Sequence, residues 1–254
     1  MAGRKQTPLI PERVEPRACT LPRRLRVLHH TPFFASLLKD DVSHISTLFR
    51  EQAFHAGEMV YVAGEPAIRL YIVATGKIKL VRTTPDGKSV VLGIIGPGDF
   101  FGSLSMLGDK TYPDTAVAHT GCCALAIAAG DFQGILKRYP QVTGTALDIV
   151  AARLRTLHEL VEQLSAHSVE QRIASTLLKL AEKLGEKRGN AVLIQAPLSR
   201  QDLAEMTGTT PETASRIMTH FRRSGLIRSG RRWVAILDTA RLAAEAGRHT
   251  KNPH

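Results

Sequence analysis

Residues Leu198–Ile227 read LSRQDLAEMTGTTPETASRIMTHFRRSGLI. Ser199 with Asp202 three residues later makes a capping box, Leu203 and Met206 give a short helix its apolar face, and Gly208 ends that helix. Thr210 then acts as N-cap, and Pro211, with its fixed φ, opens a second helix whose Ala214, Ile217, Met218 and Phe221 face inward. Two short helices joined by a glycine turn are a helix-turn-helix. On the second helix Glu212, Ser215 and Arg216 fall at i, i+3 and i+4, so a carboxylate, a hydroxyl and a guanidinium share one face. A Glu and an Arg four residues apart are also an ordinary surface pair. In a helix-turn-helix the stronger reading is base recognition: Arg takes guanine O6 and N7 together, Glu accepts from a cytosine amino group, and a small hydroxyl fits beside a thymine methyl. Thr210 and Thr213, at the start of this helix, belong to the same candidate interface. Ser199, Arg200, Arg222 and Arg223, with Arg228, Arg231 and Arg232 beyond them, are candidate phosphate contacts, which position a protein on DNA without reading sequence. Ser229-Gly230, between Leu226–Arg228 and Arg232–Leu237, reads as a hairpin turn and makes the unit a winged helix.

The charge of the chain agrees. Its 254 residues carry 34 Lys+Arg against 23 Asp+Glu, a formal net charge of +11. Residues 1–30 hold 7 basic and 2 acidic groups, residues 31–169 hold 12 and 13, and residues 170–254 hold 15 and 8, so the excess sits at the two ends. A near-neutral middle joined to a basic C-terminal part suits a polyanion-binding module attached to something else. Arg4, Lys5, Arg13, Arg17, Arg23, Arg24 and Arg26, scattered among four prolines, read as a flexible arm. With 43% hydrophobic and 22% charged residues the chain is neither disordered nor fibrous. No apolar stretch approaches the ~20 residues a membrane span needs, and no signal core opens the chain, so the expected location is the cytoplasm with no membrane partner. Cys19, Cys122 and Cys123 are too few for a four-thiolate cluster, and the adjacent pair reads as small core filler before it reads as a thiol sensor.

Upstream of the helix-turn-helix the period changes twice. From Phe54 to about Ile127, short β-rich runs (Met59–Tyr61, Leu70–Val73, Lys77–Val81, Val90–Ile94, Ala116–Ala118, Ala124–Ile127) alternate with turns such as Pro85-Asp86-Gly87 and Gly96-Pro97-Gly98-Asp99. Such spacing predicts an antiparallel sandwich or jelly roll of about eight strands, preceded by a helix over Lys39–Leu48. After Pro140, residues Leu147, Val150, Leu154, Leu157, Val161 and Leu164 recur at alternating spacings of 3 and 4, the a/d seam of a two-stranded coiled coil. A stripe so narrow fits self-pairing in a parallel homodimer better than packing on the chain's own sheet. Ser168 with Gln171 caps a further helix carrying Ile173, Leu177, Leu180 and Leu184 and stopping at Gly185.

In this order, a glycine-cornered roll ending in GDFFGSLSML (Gly98–Leu107), a long seam helix and a helix-turn-helix resemble the cyclic-AMP receptor and fumarate-nitrate regulator (CRP/FNR) superfamily of bacterial transcription factors over about Pro32–Leu242. The resemblance implies an α+β fold: an N-terminal antiparallel β-roll (jelly roll) like that of cyclic-nucleotide-binding domains, a long dimerisation helix and a C-terminal winged helix-turn-helix. The divisions are a basic arm (1–30), a sensory roll (31–138), the dimerisation helix (139–167), the winged-helix domain (168–247) and a tail (248–254). It further implies a homodimer on a two-fold symmetric DNA site, a partner in RNA polymerase, and a switch worked by an effector at the roll and long-helix interface. Pro211-Glu212-Thr213-Ala214-Ser215-Arg216 is similar to the recognition helix of the fumarate-nitrate type, which implies a site of the form TTGAT, spacer, ATCAA. The PETASRIM stretch (Pro211–Met218) resembles nitric-oxide-responsive denitrification regulators.

The resemblance also locates an effector pocket at Gly102, Ser103, Asp114 and Thr115 in the roll and Leu157 and His158 on the long helix. Where cyclic-nucleotide-binding members carry a Glu for the ribose and an Arg for the phosphate, this chain has Ser103 and Asp114. A carboxylate facing a phosphate repels it, so cyclic AMP is disfavoured, although a cyclic-nucleotide-responsive regulator with a variant pocket is the alternative. An iron-sulfur cluster lacks its four cysteines. Haem, with His158 and either His119 or His55 as axial ligands, another small molecule, a different nucleotide and no effector stay open. Jelly rolls also house cupin-type metalloenzymes, but these need a His-x-His pair inside the barrel, and only His55 and His119 occur between Phe54 and Ile127. Neither catalysis nor a protein metal site is therefore expected. An effector-free architectural DNA binder would have no use for so large a roll.

Overall fold

The computed structural model describes residues 8–9, 20–102 and 110–247. Arm residues Arg4, Lys5, Arg13 and Arg17, the pocket candidate Ser103 and the tail 248–254 lie outside the described residues. Two compact units divide the chain, with a border inside the long helix between His158 and Glu159.

The first unit is the roll. One of its sheets has the spatial order β1 (Arg50–Phe54), β8 (Cys122–Ala128), β3 (Arg69–Thr75), β6 (Phe100–Gly102); the other runs β2 (Met59–Tyr61), β7 (Thr115–Ala118), β4 (Ile78–Thr83), β5 (Ser89–Ile95). β1 and β3 pair with β8, and β2 and β4 with β7, all antiparallel. β8 is the central strand and is apolar at successive positions because both its faces are covered. Ala124 and Ala126 join Tyr71 and Val73 in the core between the sheets, while Cys123, Leu125 and Ile127 join Leu70 and Ile72 in a second core. Helices α1 (Leu21–His30), α2 (Lys39–Ser46), α3 (Ala129–Arg138) and the start of α4 (Pro140–Ala166) cover that second core with Leu28, Val42, Ile45, Phe132, Ile135 and Val142. Cys122 is buried in the core between the sheets.

Two expectations for this unit change. Leu21–His30, read as part of a flexible arm, is a helix: Pro22 sits at its start, where a missing N–H costs nothing, and Leu28 is fully buried. Its arginines are not all loose, since Arg24 Nη1 donates to the Phe49 carbonyl at 3.3 Å and pairs with Glu51 at 3.3 Å. The roll also opens earlier than Phe54, at the polar strand Arg50–Phe54, whose ladder is supplied by β8.

The second unit opens with the last turns of α4 and continues into α5 (Val169–Leu184), where Ser168 and Gln171 form the expected capping box. A hairpin of β9 (Gly185–Arg188) and β10 (Ala191–Ile194) leads to α6 (Arg200–Thr207) and α7 (Pro211–Arg223), followed by β11 (Ile227–Gly230), β12 (Trp233–Ile236) and α8 (Thr239–Glu245). The sheet order is β11-β12-β10-β9. The wing turn is displaced from its expected place: Gly230 pairs with Trp233, so the tip is Arg231-Arg232, with Arg232 at φ +61°. Gly230 is inside the strand because a Cβ there would collide with the Trp233 indole.

Candidate nucleic-acid interface

Local hydrogen bonds fix the start of each helix of the motif. Asp202 N donates to Ser199 Oγ at 3.0 Å and Ser199 N to Asp202 Oδ2 at 2.9 Å, so the Ser199 hydroxyl is engaged within the box. Gly208, left-handed at φ +61°, closes α6, a conformation costly for residues with a Cβ. Thr213 N donates to Thr210 Oγ1 at 3.3 Å, and Pro211 occupies the first turn of α7. Ala214, Ile217, Met218 and Phe221 are buried, leaving the opposite face to solvent.

That face is an open concavity of about 510 Å³ lined by Glu212, Ser215, Arg216, Thr219, His220 and Arg223. The three expected base-reading side chains are thus brought together. Arg223, expected as a phosphate contact, shares their face, and Thr219 and His220, which sequence reasoning passed over, extend it one turn further. Their signal was present, since 212, 215/216, 219 and 223 continue the same i, i+3/i+4 row. His220 Nε2 lies 3.5 Å from Glu170 Oε1, tying α7 to the first turn of α5. The Glu212 carboxyl is held below the usual carboxylate range by its own backbone N–H, by the Thr210 hydroxyl and thus by the helix N-terminus, so it is an acceptor at neutral pH. Arg200 is half-buried; burial, and then the neighbouring charge of Arg222, lower its affinity for the proton, and its Nη2 donates to Ser229 Oγ on the wing at 3.4 Å. It braces the wing and, with Arg222, concentrates positive charge beside the reading face. Arg228, Arg231 and Arg232 are exposed on the wing.

Comparison with known proteins agrees with this geometry. Residues 51–139 match the cyclic nucleotide-binding domain family and residues 171–245 the Crp-like helix-turn-helix domain family. The Cyclic AMP receptor protein of Thermus thermophilus is 30% identical over 212 residues, covering 84% of this chain and 95% of that protein. The chain belongs to the CRP/FNR superfamily of transcription regulators. Nitrogen fixation regulation protein FixK of Bradyrhizobium diazoefficiens is 28% identical over 84% of this regulator and 88% of its own length. The solved structure of FixK2 from Bradyrhizobium japonicum shares the fold at a TM-score of 0.70, with 23% identity over 77% of this chain and 96% of that one. The regulator is a DNA-binding protein of this family, and no described helix is long and apolar enough to cross a membrane.

In the regulator's roll, two of the expected pocket residues meet through a tyrosine. Tyr61 OH donates to Asp114 Oδ1 at 2.9 Å and accepts from Gly102 N at 3.0 Å. Gly102 has φ +94°, and a Cβ there would come within 2.9 Å of the Arg69 carbonyl oxygen. Thr115 Oγ1 accepts from Ala63 N at 3.0 Å. Burial raises the Asp114 pKa, opposed by the Tyr61 hydroxyl and by the charges of Arg153 and Arg82. Leu157 and His158 are exposed on α4, and the α4 residue beside the Tyr61–Asp114 pair is instead Arg153. Its guanidinium lies 4.1 Å over the Phe100 ring, its Nη2 donates to Phe100 O at 3.3 Å, and Asp114 and Asp99 attract it. Sequence reasoning missed Arg153, whose only signal is its place one turn before Leu157.

The seam of α4 is exposed along its length: Leu147 is 70%, Leu154 53%, Leu157 56%, Val161 63% and Leu164 49% accessible, with Val150 half-buried. His55 and His119 occupy adjacent turns joined by the Gly57 N to Ala118 O bond at 2.8 Å, while His158 stands on α4. Among the described residues no group of three or more His, Cys, Asp or Glu could hold a metal ion.

Proposed function

We propose that the regulator works in the cytoplasm as a homodimer that pairs through the α4 seam and reads a TTGAT, spacer, ATCAA site with Glu212, Ser215 and Arg216. One observation carries the reading: the single concavity in which those three side chains stand together beside Arg223. Arg216 is suited to the guanine of a half-site through O6 and N7, Glu212 to the amino group of a cytosine, and Ser215 to a thymine methyl. Arg222, Arg223 and the wing arginines Arg228, Arg231 and Arg232 supply phosphate contacts, and Thr210 and Thr213 hold the start of α7. Members of the family bind DNA and typically act as dimers, and the exposed leucines of α4 support the same state here. RNA polymerase is the expected protein partner, and catalysis has no part in the proposal.

The effector belongs to the Gly102, Asp114, Thr115 and Arg153 region and is not cyclic AMP. What supports this is Asp114, the carboxyl that the resemblance aligns with the phosphate-binding Arg of cyclic-nucleotide-binding members, here bonded to Tyr61. A relative from Mycobacterium tuberculosis named as a cAMP-activated global transcriptional regulator makes the opposite outcome the one to test. Binding of the full chain to a fluorescent TTGAT palindrome and to a scrambled duplex at fixed salt, with and without cyclic AMP and with and without haem plus nitric oxide, tests both parts. The expected result is a preference of at least ~10³ for the palindrome, indifferent to cyclic AMP. Equal binding to both duplexes overturns the DNA reading. A rise in affinity with cyclic AMP overturns the effector reading alone.

A further inference from the structure

We infer that Arg172 is a positioning residue for DNA reading, a planar clamp that holds the helix-turn-helix against the end of the dimer helix. The inference rests on the proposed reading of a symmetric site, and all its atoms lie in the unit from Glu159 onward. α4 closes with His167 N donating to Gln163 O at 3.1 Å, and the chain turns at Ser168 into α5. The His167 carbonyl therefore lies outside both helices. Arg172 Nη1 donates to it at 2.9 Å, and Arg172 Nε donates to the Thr207 carbonyl at 2.9 Å. Thr207 is the last residue of α6, so its carbonyl is among those a helix leaves unpaired at its negative end, where a cation is favoured. The next residue, Gly208, makes the turn into α7.

Two donors of one guanidinium lie in one rigid plane, so the two carbonyls are held at a fixed separation and orientation. A lysine keeps the charge but gathers its donors on a single nitrogen at the end of a flexible stem and cannot reproduce the span. Two further contacts brace the same turns of α4. Leu164 Cδ2 lies 3.9 Å from the place of a Cβ on Gly208, and Glu159 Oε2 pairs with Lys179 Nζ of α5 at 3.6 Å. The bend at His167–Ser168 is thus braced from both sides and sets the direction in which α7 leaves the turn.

For a dimer on a symmetric site, that direction governs spacing. The two copies of α7 must meet half-sites about one helical turn apart, and a loosely held reading helix tolerates a wrong separation better than a clamped one. Loss of the clamp therefore weakens discrimination between spacings, whereas loss of a phosphate contact weakens all sites alike.

The test uses full-length Arg172→Lys and Arg172→Gln. Affinities are measured for TTGAT/ATCAA palindromes at the best spacer and at spacers one base pair longer and shorter, with a scrambled duplex, alongside amide hydrogen exchange. For Arg172→Lys the expected loss on the best spacer is roughly tenfold, about one hydrogen bond to a charged group. The penalty for the shifted spacers shrinks toward none, and scrambled-duplex affinity stays as in the wild type. The amides of Gly208 and Thr209, which donate to Ala204 O, exchange faster while those of buried Leu177 in α5 keep their protection, which shows the variant folded. An equal loss on all three spacers, or unchanged exchange at Gly208 and Thr209, overturns the inference. A wild-type protein indifferent to palindrome and scrambled duplex overturns the DNA reading instead, and the exchange data still decide whether the clamp exists.

Discussion

Leu157→Asp perturbs the α4 seam at its middle. Full burial of a leucine side chain is worth about 2 kcal/mol. Leu157 is 56% accessible in the single chain, so roughly 1 kcal/mol per copy, about 2 kcal/mol per dimer, stands to be gained when a second helix covers it. An aspartate forfeits that gain and brings two carboxylates toward the symmetry axis, where they must stay hydrated or be protonated, a further cost of about 2–3 kcal/mol. Together the change amounts to roughly 4–5 kcal/mol, or about a thousandfold in the dimer dissociation constant. Sedimentation equilibrium over a wide concentration range reads this directly. Leu38→Asp is the control, because Leu38 is more exposed still, at 76%, but lies at the start of α2, away from the seam. A Leu157→Asp protein that dimerises as tightly as the wild type, or a Leu38→Asp protein that dissociates equally, would refute the seam argument.

Arg216→Ala is expected to cost roughly 1–3 kcal/mol of specific binding and to relax base preference at one position of each half-site, whereas Arg223→Ala weakens specific and random duplexes alike and reduces the salt slope by about 1; equal losses for both variants on both duplexes would contradict the assignment of the reading face. Because the Glu212 carboxyl is held below its ordinary range, its acceptor role is present above that range and is lost only as pH falls through the depressed value. The ratio of specific to scrambled binding should therefore stay flat from neutrality to ~pH 5, near the top of the ordinary carboxylate range, and a fall in that ratio at milder acidity, absent in Glu212→Gln, speaks against the helix-terminus argument. Asp114 is shifted the other way, chiefly by burial, so the folded roll holds a proton more firmly than the unfolded chain and loses stability as pH rises from the ordinary aspartate range through the raised value. Asp114→Asn still accepts from Tyr61 and removes the charge; urea unfolding across pH should show higher stability at neutrality and no such decline, and parallel curves for the two proteins would exclude burial as the governing cause.

The parts of the fold that were legible in sequence are those whose hydrogen bonds are local. Ser199 with Asp202, Gly208, Thr210 with Pro211, and Ser168 with Gln171 each act within four residues, and all stand where their types imply. Met59–Tyr61 and the middles of β3, β4, β5, β7 and β8 were legible because apolar runs between turn residues need no distant partner to be recognised. β1 (REQAF) and β9 (GEKR) were not, since their residues have no strand character of their own and are ordered by β8 and β10. The wing tip was misplaced by reading Ser-Gly as a turn when the glycine was needed to make room for Trp233. At the sites the same division holds. The shared face of Glu212, Ser215 and Arg216 is a helix periodicity and could be read from spacing alone, but the Tyr61–Asp114 bond joins residues 53 apart, the contact of Arg153 depends on Phe100, and that of Arg172 on a carbonyl 35 residues away.

The charges of α7 serve its stability and its function in the same direction. Glu212 lies in its first turn and His220, Arg222 and Arg223 in its last, so each sign sits at the end of the helix where the backbone dipole favours it. In the proposed complex with DNA the acid at the N-terminal end is the acceptor for a base, and the arginines at the other end are the phosphate contacts. A variant at either end therefore loses helix stability along with a DNA contact, and the two losses must be separated by measuring unfolding beside binding. Arg216 lies in neither terminal turn, so its substitution bears on recognition with the least disturbance of the helix. The contrast between Arg216→Ala and Arg223→Ala is informative for that reason: one removes the proposed reading group from the middle of the helix, the other a charge that favours the helix end and is proposed to meet the DNA backbone.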